Sequence, residues 1–196
     1  MHPAATRSDS AVRTVITNVH QGQFEVAGTS EVTLSTVLGS CVAACVRDRV
    51  AQIGGMNHFL LAEPSDSARA ASGESARYGA FAMEKLINSV LSRGTGRKAN
   101  LEFKAFGGGL MSAALADVGS KNVQFLRQFL QSEGYHLVSE DLGGAFARRV
   151  LYTPHTGKAM VKRLDANAAD GVTRDELLLV GRRAAAPVQT PDIELF

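Results

Sequence analysis

The sequence predicts an α+β domain of packed mixed or antiparallel β-sheets, and three observations lead there. Strand-like segments outnumber helical ones. The two clear amphipathic stretches do not alternate with the strands in regular βαβ order. A chain of 196 residues with 45% apolar content is long enough to bury one sizeable core.

Met1–Ser10 is small and polar and is expected to be disordered. The domain is expected over residues 11–165. Strand-like patterns run around Val12–Val19 and Gln23–Ala27, and "EVTLSTVL" alternates before it meets Gly39. "CVAACV" is a short buried-strand candidate with "RDR" as its polar turn. "VAQIGGMNHFLLAEP" resumes the strand, and Gly54-Gly55 suggests a bulge or a close backbone approach. Pro64–Gly73 reads as a loop.

A helix is expected over Ser75–Ser92, with Tyr78, Phe81, Met83, Leu86, Ile87, Val90 and Leu91 mostly at three- and four-residue spacing and Gly94 as its stop. "NLEFKAFGGGLM" is a strand running into three glycines. Ser120 can cap a second helix through Ser132, followed by Gly134. "YHLVSEDLGG" reads as a strand, with Asp141, Gly143 and Gly144 as a turn. "FARRVLYTPHTGKAMVKRL" reads as a hairpin turning at Pro154–Gly157. Beyond Ala166 the pattern decays, and residues 166–196 are expected to be a mostly flexible tail.

Composition excludes several classes. Lys and Arg total 21 against 19 Asp and Glu, a net charge of +2 that argues for neither nucleic acid nor a membrane surface. No apolar run is long enough for a membrane span, and the N-terminus lacks a signal-peptide core. A cytoplasmic protein with two unpaired thiols is expected. Two cysteines and five scattered histidines show no zinc spacing. Gly107-Gly108-Gly109 lacks the G-K-[ST] of a P-loop and reads as a close backbone approach at a strand end.

The chemistry candidates are Cys41 and His58. If the chain folds back antiparallel near Arg49, Cys41 falls opposite residues 56–58, directly across from His58 or diagonal to it. A one-residue slip would send His58 to the other face. An imidazole beside a thiol with a pKa of about 8.5 can take its proton and leave a thiolate. The imidazole needs an orienting acceptor, and Ser35 can supply a hydroxyl. A turn at Gly39 and Ser40 can aim backbone N–H groups at an oxyanion. The plainer alternative is that Cys41 is a small buried strand residue and His58 a satisfied core histidine. Cys45 reads as packing: its spacing from Cys41 is not C-x-x-C, and two residues four apart on one strand are too distant for a disulfide.

"LGSCVAACVRD", "GGMNHFLL", "FGGGLM" and "EDLGGAFARRVLYTPHTGK", in that order and spacing, resemble the bacterial chemoreceptor glutamine deamidase family, CheD, over about residues 12–165. The resemblance implies an α+β fold with helices outside packed sheets, similar to the cytotoxic necrotizing factor-like cysteine hydrolases. It implies hydrolysis of glutamine side chains to glutamate on methyl-accepting chemotaxis receptors, and the phosphatase CheC as a further partner. Carried over by position, Cys41 matches the nucleophile and His58 the general base and acid. The cysteine mechanism that the resemblance implies requires no metal or cofactor. The third position, usually threonine and six residues before the cysteine, is Ser35 here. Thr36, one residue on and on the opposite strand face, ranks second. A module that only binds a receptor or CheC is the alternative.

Overall fold

The structure is a computed structural model that describes residues 14–61 and 74–185. The expected N-terminal tail and the Pro64–Gly73 loop lie outside the described residues.

The elements are β1 (Val15–Asn18), β2 (Phe24–Ala27), β3 (Val32–Leu38), β4 (Val42–Asp48), β5 (Ile53–Asn57), α1 (Glu74–Arg93), a 3-10 turn (Lys98–Asn100), β6 (Leu101–Gly107), α2 (Ala113–Ser132), β7 (Leu137–Leu142), β8 (Arg148–Thr153), β9 (Lys158–Arg163) and α3 (Ala166–Ala185). They form a four-stranded sheet of order β1-β3-β8-β9 and a five-stranded sheet of order β2-β5-β4-β6-β7. Each has one parallel pair, β1 with β3 and β6 with β7, among antiparallel neighbours. The α+β architecture with mixed sheets is the one expected.

Strand β4 explains the layering. Its even-numbered residues Val42, Ala44 and Val46 pack with Met83, Leu86 and Val90 of α1 and Leu126 and Leu130 of α2. Ala43 and Cys45, on the other face, pack with Leu34 and Leu38 of β3 and Val150 and Tyr152 of β8. A strand apolar on both faces is thus buried on both, between helices and a second sheet. Each fully buried Leu, Met or Val contributes about 1.5–3 kcal/mol of transfer free energy.

Several expectations are corrected. Helix α2 begins at Ala113, not at Ser120, which lies inside it. Gly119 is a contact point: a Cβ there would lie 2.6 Å from the Gly109 carbonyl oxygen, so the helix crosses the glycine-rich strand end backbone to backbone. At Gly54-Gly55 the close approach holds and the bulge does not, since Arg47↔Gly54 and Val46↔Gly55 pair in unbroken register. Phe81 is not in the buried stripe of α1; it is 54% exposed, with the Lys85 ammonium 4.3 Å above its ring. Finally, 166–185 is helical where a flexible tail was expected. No strong apolar stripe announces that helix; its Ala, Leu and Arg content favours one on propensity.

Asp48 locks the β4–β5 turn. Its Oδ1 accepts from the N–H of Val50 and of Ala51, each at 3.0 Å, and its Oδ2 from the N–H and hydroxyl of Thr95. Burial alone would raise its pKa, but these donors outweigh burial and hold it below the usual value. That stability is present above the unfolded carboxylate pKa of about 3.9 and is lost as pH falls through the lower folded value. Asp48→Ala is expected to cost about 2–4 kcal/mol in urea unfolding at neutral pH, because buried donors lose a charged acceptor. A loss under about 0.5 kcal/mol, the ordinary surface range, would show the turn independent of it.

Candidate active site

The β4–β5 hairpin brings Cys41 and His58 to one cavity. Cys45 pairs with Met56, and beyond the strand end Val42 and Phe59 exchange both backbone hydrogen bonds, at 3.0 and 2.9 Å. This register sets Cys41 across from Leu60 and diagonal to His58. It differs from a turn at Arg49 by a few residues but keeps the two on one face, the diagonal of the two arrangements expected. Met56 and Leu60 flank His58 on that face and pack into the core between the sheets.

Cys41 follows the turn Gly39-Ser40, and this turn is anchored from behind. The Gly108 N–H donates to the Cys41 carbonyl and the Gly109 N–H to the Gly39 carbonyl, both at 2.7 Å. Asn122 Nδ2 donates to the Ser40 carbonyl at 2.8 Å, while its Oδ1 accepts from the Leu61 N–H. Gly107, at φ 108°, is where the strand end must pass: a Cβ would sit 2.2 Å from the Cys41 carbonyl oxygen. The reading of the three glycines as a close backbone approach holds.

With their carbonyls tied back, the N–H groups of Gly39, Ser40 and Cys41 converge on one acceptor, the Glu176 carboxylate of α3. Gly39 and Cys41 donate to Oε1 at 3.2 Å each; Ser40 donates to Oε2 from its N–H at 2.8 Å and from its hydroxyl at 2.7 Å. The turn is a built anion site of the kind used for oxyanions. Beside it opens a cavity of about 370 Å³, whose walls include Ser35, Thr36, Cys41, His58, Arg149 and Glu176.

The hydroxyl on His58 belongs to Thr36, not Ser35. Thr36 Oγ1 lies 2.8 Å from His58 Nδ1 and 2.8 Å from the Val19 carbonyl oxygen. A carbonyl only accepts, so Thr36 donates to Val19 and accepts from Nδ1–H. This assigns the proton to Nδ1 and leaves Nε2 as the basic nitrogen. Nε2 is buried and has no hydrogen-bond partner among the described residues. Burial is the main cause that pushes the imidazole pKa down to about 4, against the Val19 carbonyl and the Glu176 carboxylate, which raise it. The ring is neutral at pH 7.

Ser35 lines the same cavity from the opposite strand face. The family position six before the cysteine falls on Ser35, but β3 ends at Leu38 and the turn that follows leaves Thr36, not Ser35, on the His58 side. The legible signal is nearer: Leu34 and Leu38 point into the core between the sheets, and Thr36 between them shares their face. Thr36→Val is expected to lower turnover about 10- to 100-fold with KM little changed, and Ser35→Ala to stay within about threefold, measured as ammonia release from receptor fragments. The reverse order would return the orienting role to Ser35.

Cys45 is buried among core residues, and burial pushes its thiol pKa far up. Neither cysteine is disulfide-bonded. Among the described residues no three His, Cys, Asp or Glu side chains are grouped as a metal would require. No helix among them is long and apolar enough to cross a membrane.

Comparison with known proteins now adds to this geometry. The family model for CheD chemotactic sensory transduction matches residues 60–163, more than half of the chain. A Burkholderia thailandensis protein named "Probable chemoreceptor glutamine deamidase CheD 1" is 44% identical over 174 residues, which cover 85% of this chain and 73% of that one. A Burkholderia mallei protein named "Probable chemoreceptor glutamine deamidase CheD" matches with the same identity and coverage. The chain belongs to the CheD family. The CheD family model begins beyond Cys41 and His58, but any contiguous 85% of a 196-residue chain takes in positions 35–58. A solved Neisseria meningitidis structure of family model DUF152 aligns over 67% of this chain and 63% of that one, at 11% identity and a TM-score of 0.35, a likeness that carries no argument.

The resemblance pointed to Cys41, His58 and Ser35, and the structure sets all three on one cavity, with the Gly39-Ser40 turn that the sequence suggested leading into Cys41. It sets Thr36, the second-ranked hydroxyl, against His58, and adds Asn122 as the anchor of the turn and Glu176. Asn122 sits in a helix whose sequence shows only an apolar stripe, so nothing marked it. Glu176 lies 135 residues from Cys41 in a segment without strong periodicity.

Proposed function

We propose that this protein hydrolyses glutamine side chains to glutamate on the cytoplasmic domains of methyl-accepting chemotaxis receptors, with Cys41 as nucleophile and His58 as base and acid. The observation that carries the reading is the convergence of three backbone N–H groups beside a thiol, next to a neutral imidazole whose Nε2 is left unengaged. The names of the CheD relatives supply the substrate class.

The steps follow from the side chains. His58 Nε2 takes the Cys41 proton, and the thiolate attacks the amide carbon. The oxyanion takes the place of Glu176 Oε1 between the Gly39 and Cys41 N–H groups. His58 returns the proton to the nitrogen, the C–N bond breaks and ammonia leaves a γ-glutamyl thioester. Water, its proton taken by Nε2, attacks the thioester; glutamate departs and the thiol is restored. Thr36 and the Val19 carbonyl stabilise the imidazolium formed in each half. The enzyme acts in the cytoplasm on this reading, with CheC as a second protein partner.

The test incubates the protein with receptor cytoplasmic fragments and follows ammonia release and glutamine-to-glutamate conversion by mass spectrometry. Conversion at discrete glutamines is expected. Tight receptor or CheC binding with no conversion would make the protein a binding module instead.

A further inference from the structure

We propose that α3 holds Glu176 in the catalytic turn as a tethered product, so that the site is closed until this helix leaves; the proposal rests on the deamidase reading. The reaction's product is a γ-carboxylate, and Glu176 presents one. Its Oε1 sits between the Gly39 and Cys41 N–H groups, and its Oε2 takes the Ser40 N–H and hydroxyl. A substrate glutamine must put its carbonyl oxygen where Oε1 now lies, so Glu176 and a substrate exclude each other.

The way α3 is held suits reversible closure. Among its described side chains Glu176 alone is buried, at 4% exposure, while the adjacent Leu177 and Leu178 are 42% and 56% exposed. Among its described side chains, the fastening is one carboxylate and its donors. A plug of that kind exchanges one set of polar contacts for another when a competing side chain arrives. The occupant that the turn accepts is thus a side chain of glutamate or glutamine length carried on a helix, and a helical receptor segment displaces α3 by presenting a glutamine amide oxygen to the same N–H groups.

Two full-length variants test this. Glu176→Ala keeps a good helix former at the position and removes the plug. It is expected to raise kcat/KM for receptor fragments on the order of tenfold, the factor for a site open about a tenth of the time. Unchanged or lower kcat/KM would overturn the proposal and make Glu176 a structural support of the turn.

Glu176→Gln places an amide where the product stands. Cys41 attacks that amide, ammonia leaves, and water returns the side chain to glutamate with a mass gain of about 1 Da, NH2 replaced by OH. The double variant Cys41→Ala, Glu176→Gln is expected to keep its introduced amide. Persistence of the amide in a Glu176→Gln protein that still converts receptor glutamines would overturn the tethered-product pose and leave the deamidase reading standing. Failure of the wild type and of Glu176→Ala to convert any receptor glutamine would remove the deamidase reading, and this proposal with it.

Discussion

Cys41→Ala is expected to lower receptor deamidation by about 10⁴-fold or more, while Cys45→Ala stays within a few-fold of wild type. The two thiols differ by environment. Cys41 borders the cavity at the end of an anchored turn, with three N–H groups converging beside it. Cys45 is four residues along the same strand face, closed in by Met56 and the second sheet, and its raised pKa keeps it a thiol. Loss of covalent catalysis leaves only binding and the oxyanion turn, so the residue at 41 decides whether any thioester forms. Trapping by iodoacetamide supplies a second readout: both thiols are buried but only Cys41 lines the cavity, so a single adduct on Cys41 is expected, and an adduct on Cys45 would show that cavity access does not separate them. Activity that survives Cys41→Ala would remove the nucleophile and the mechanism with it.

His58→Asn is expected to lower turnover about 10³-fold and to change how stability depends on pH. The imidazole is held at a pKa of about 4, chiefly by burial, against about 6.5 in the unfolded chain. The sign follows from proton uptake. Between these values the unfolded chain binds a proton that the folded one refuses, so the contribution is complete above about pH 6.5. It is lost as pH falls toward 4. At about pH 5 the loss is about 2 kcal/mol. Urea unfolding at about pH 7.5 and about pH 5 should show wild type losing that much more than His58→Asn. Equal losses in the two proteins would mean that His58 is not held neutral by its surroundings. The turnover result stands separately, since it reads the proposed role of Nε2 as base and not the burial of the ring.

The parts of this fold that could be read in sequence are those fixed by short-range periodicity. Strand β4 is a continuous apolar run, and α1 shows its stripe apart from Phe81. The Cys41–His58 pairing was legible because one hairpin carries both residues, and antiparallel register relates them without knowledge of the rest. What could not be read depends on contacts between distant segments. The choice of Thr36 over Ser35 turns on where β3 stops and how the next two residues bend. The start of α2 was hidden because Ser120 has the chemistry of a cap, although it lies inside a helix that begins at Ala113. Glu176 was invisible because its role comes from backbone donors far away in the chain, and nothing local to α3 calls for an acid there.

The anchoring of Gly39, Ser40 and Cys41 by Gly108, Gly109 and Asn122 has a bearing on synthesis. Cys41 and His58 both precede every one of those anchors in the chain. The groups that orient the turn arrive later, at the end of β6 and on α2. A nascent or truncated chain therefore carries the reactive pair without the scaffold that makes it an enzyme. The scaffold of the turn is complete only once α2 is made, and the helix that bears Glu176 is the last described element to follow.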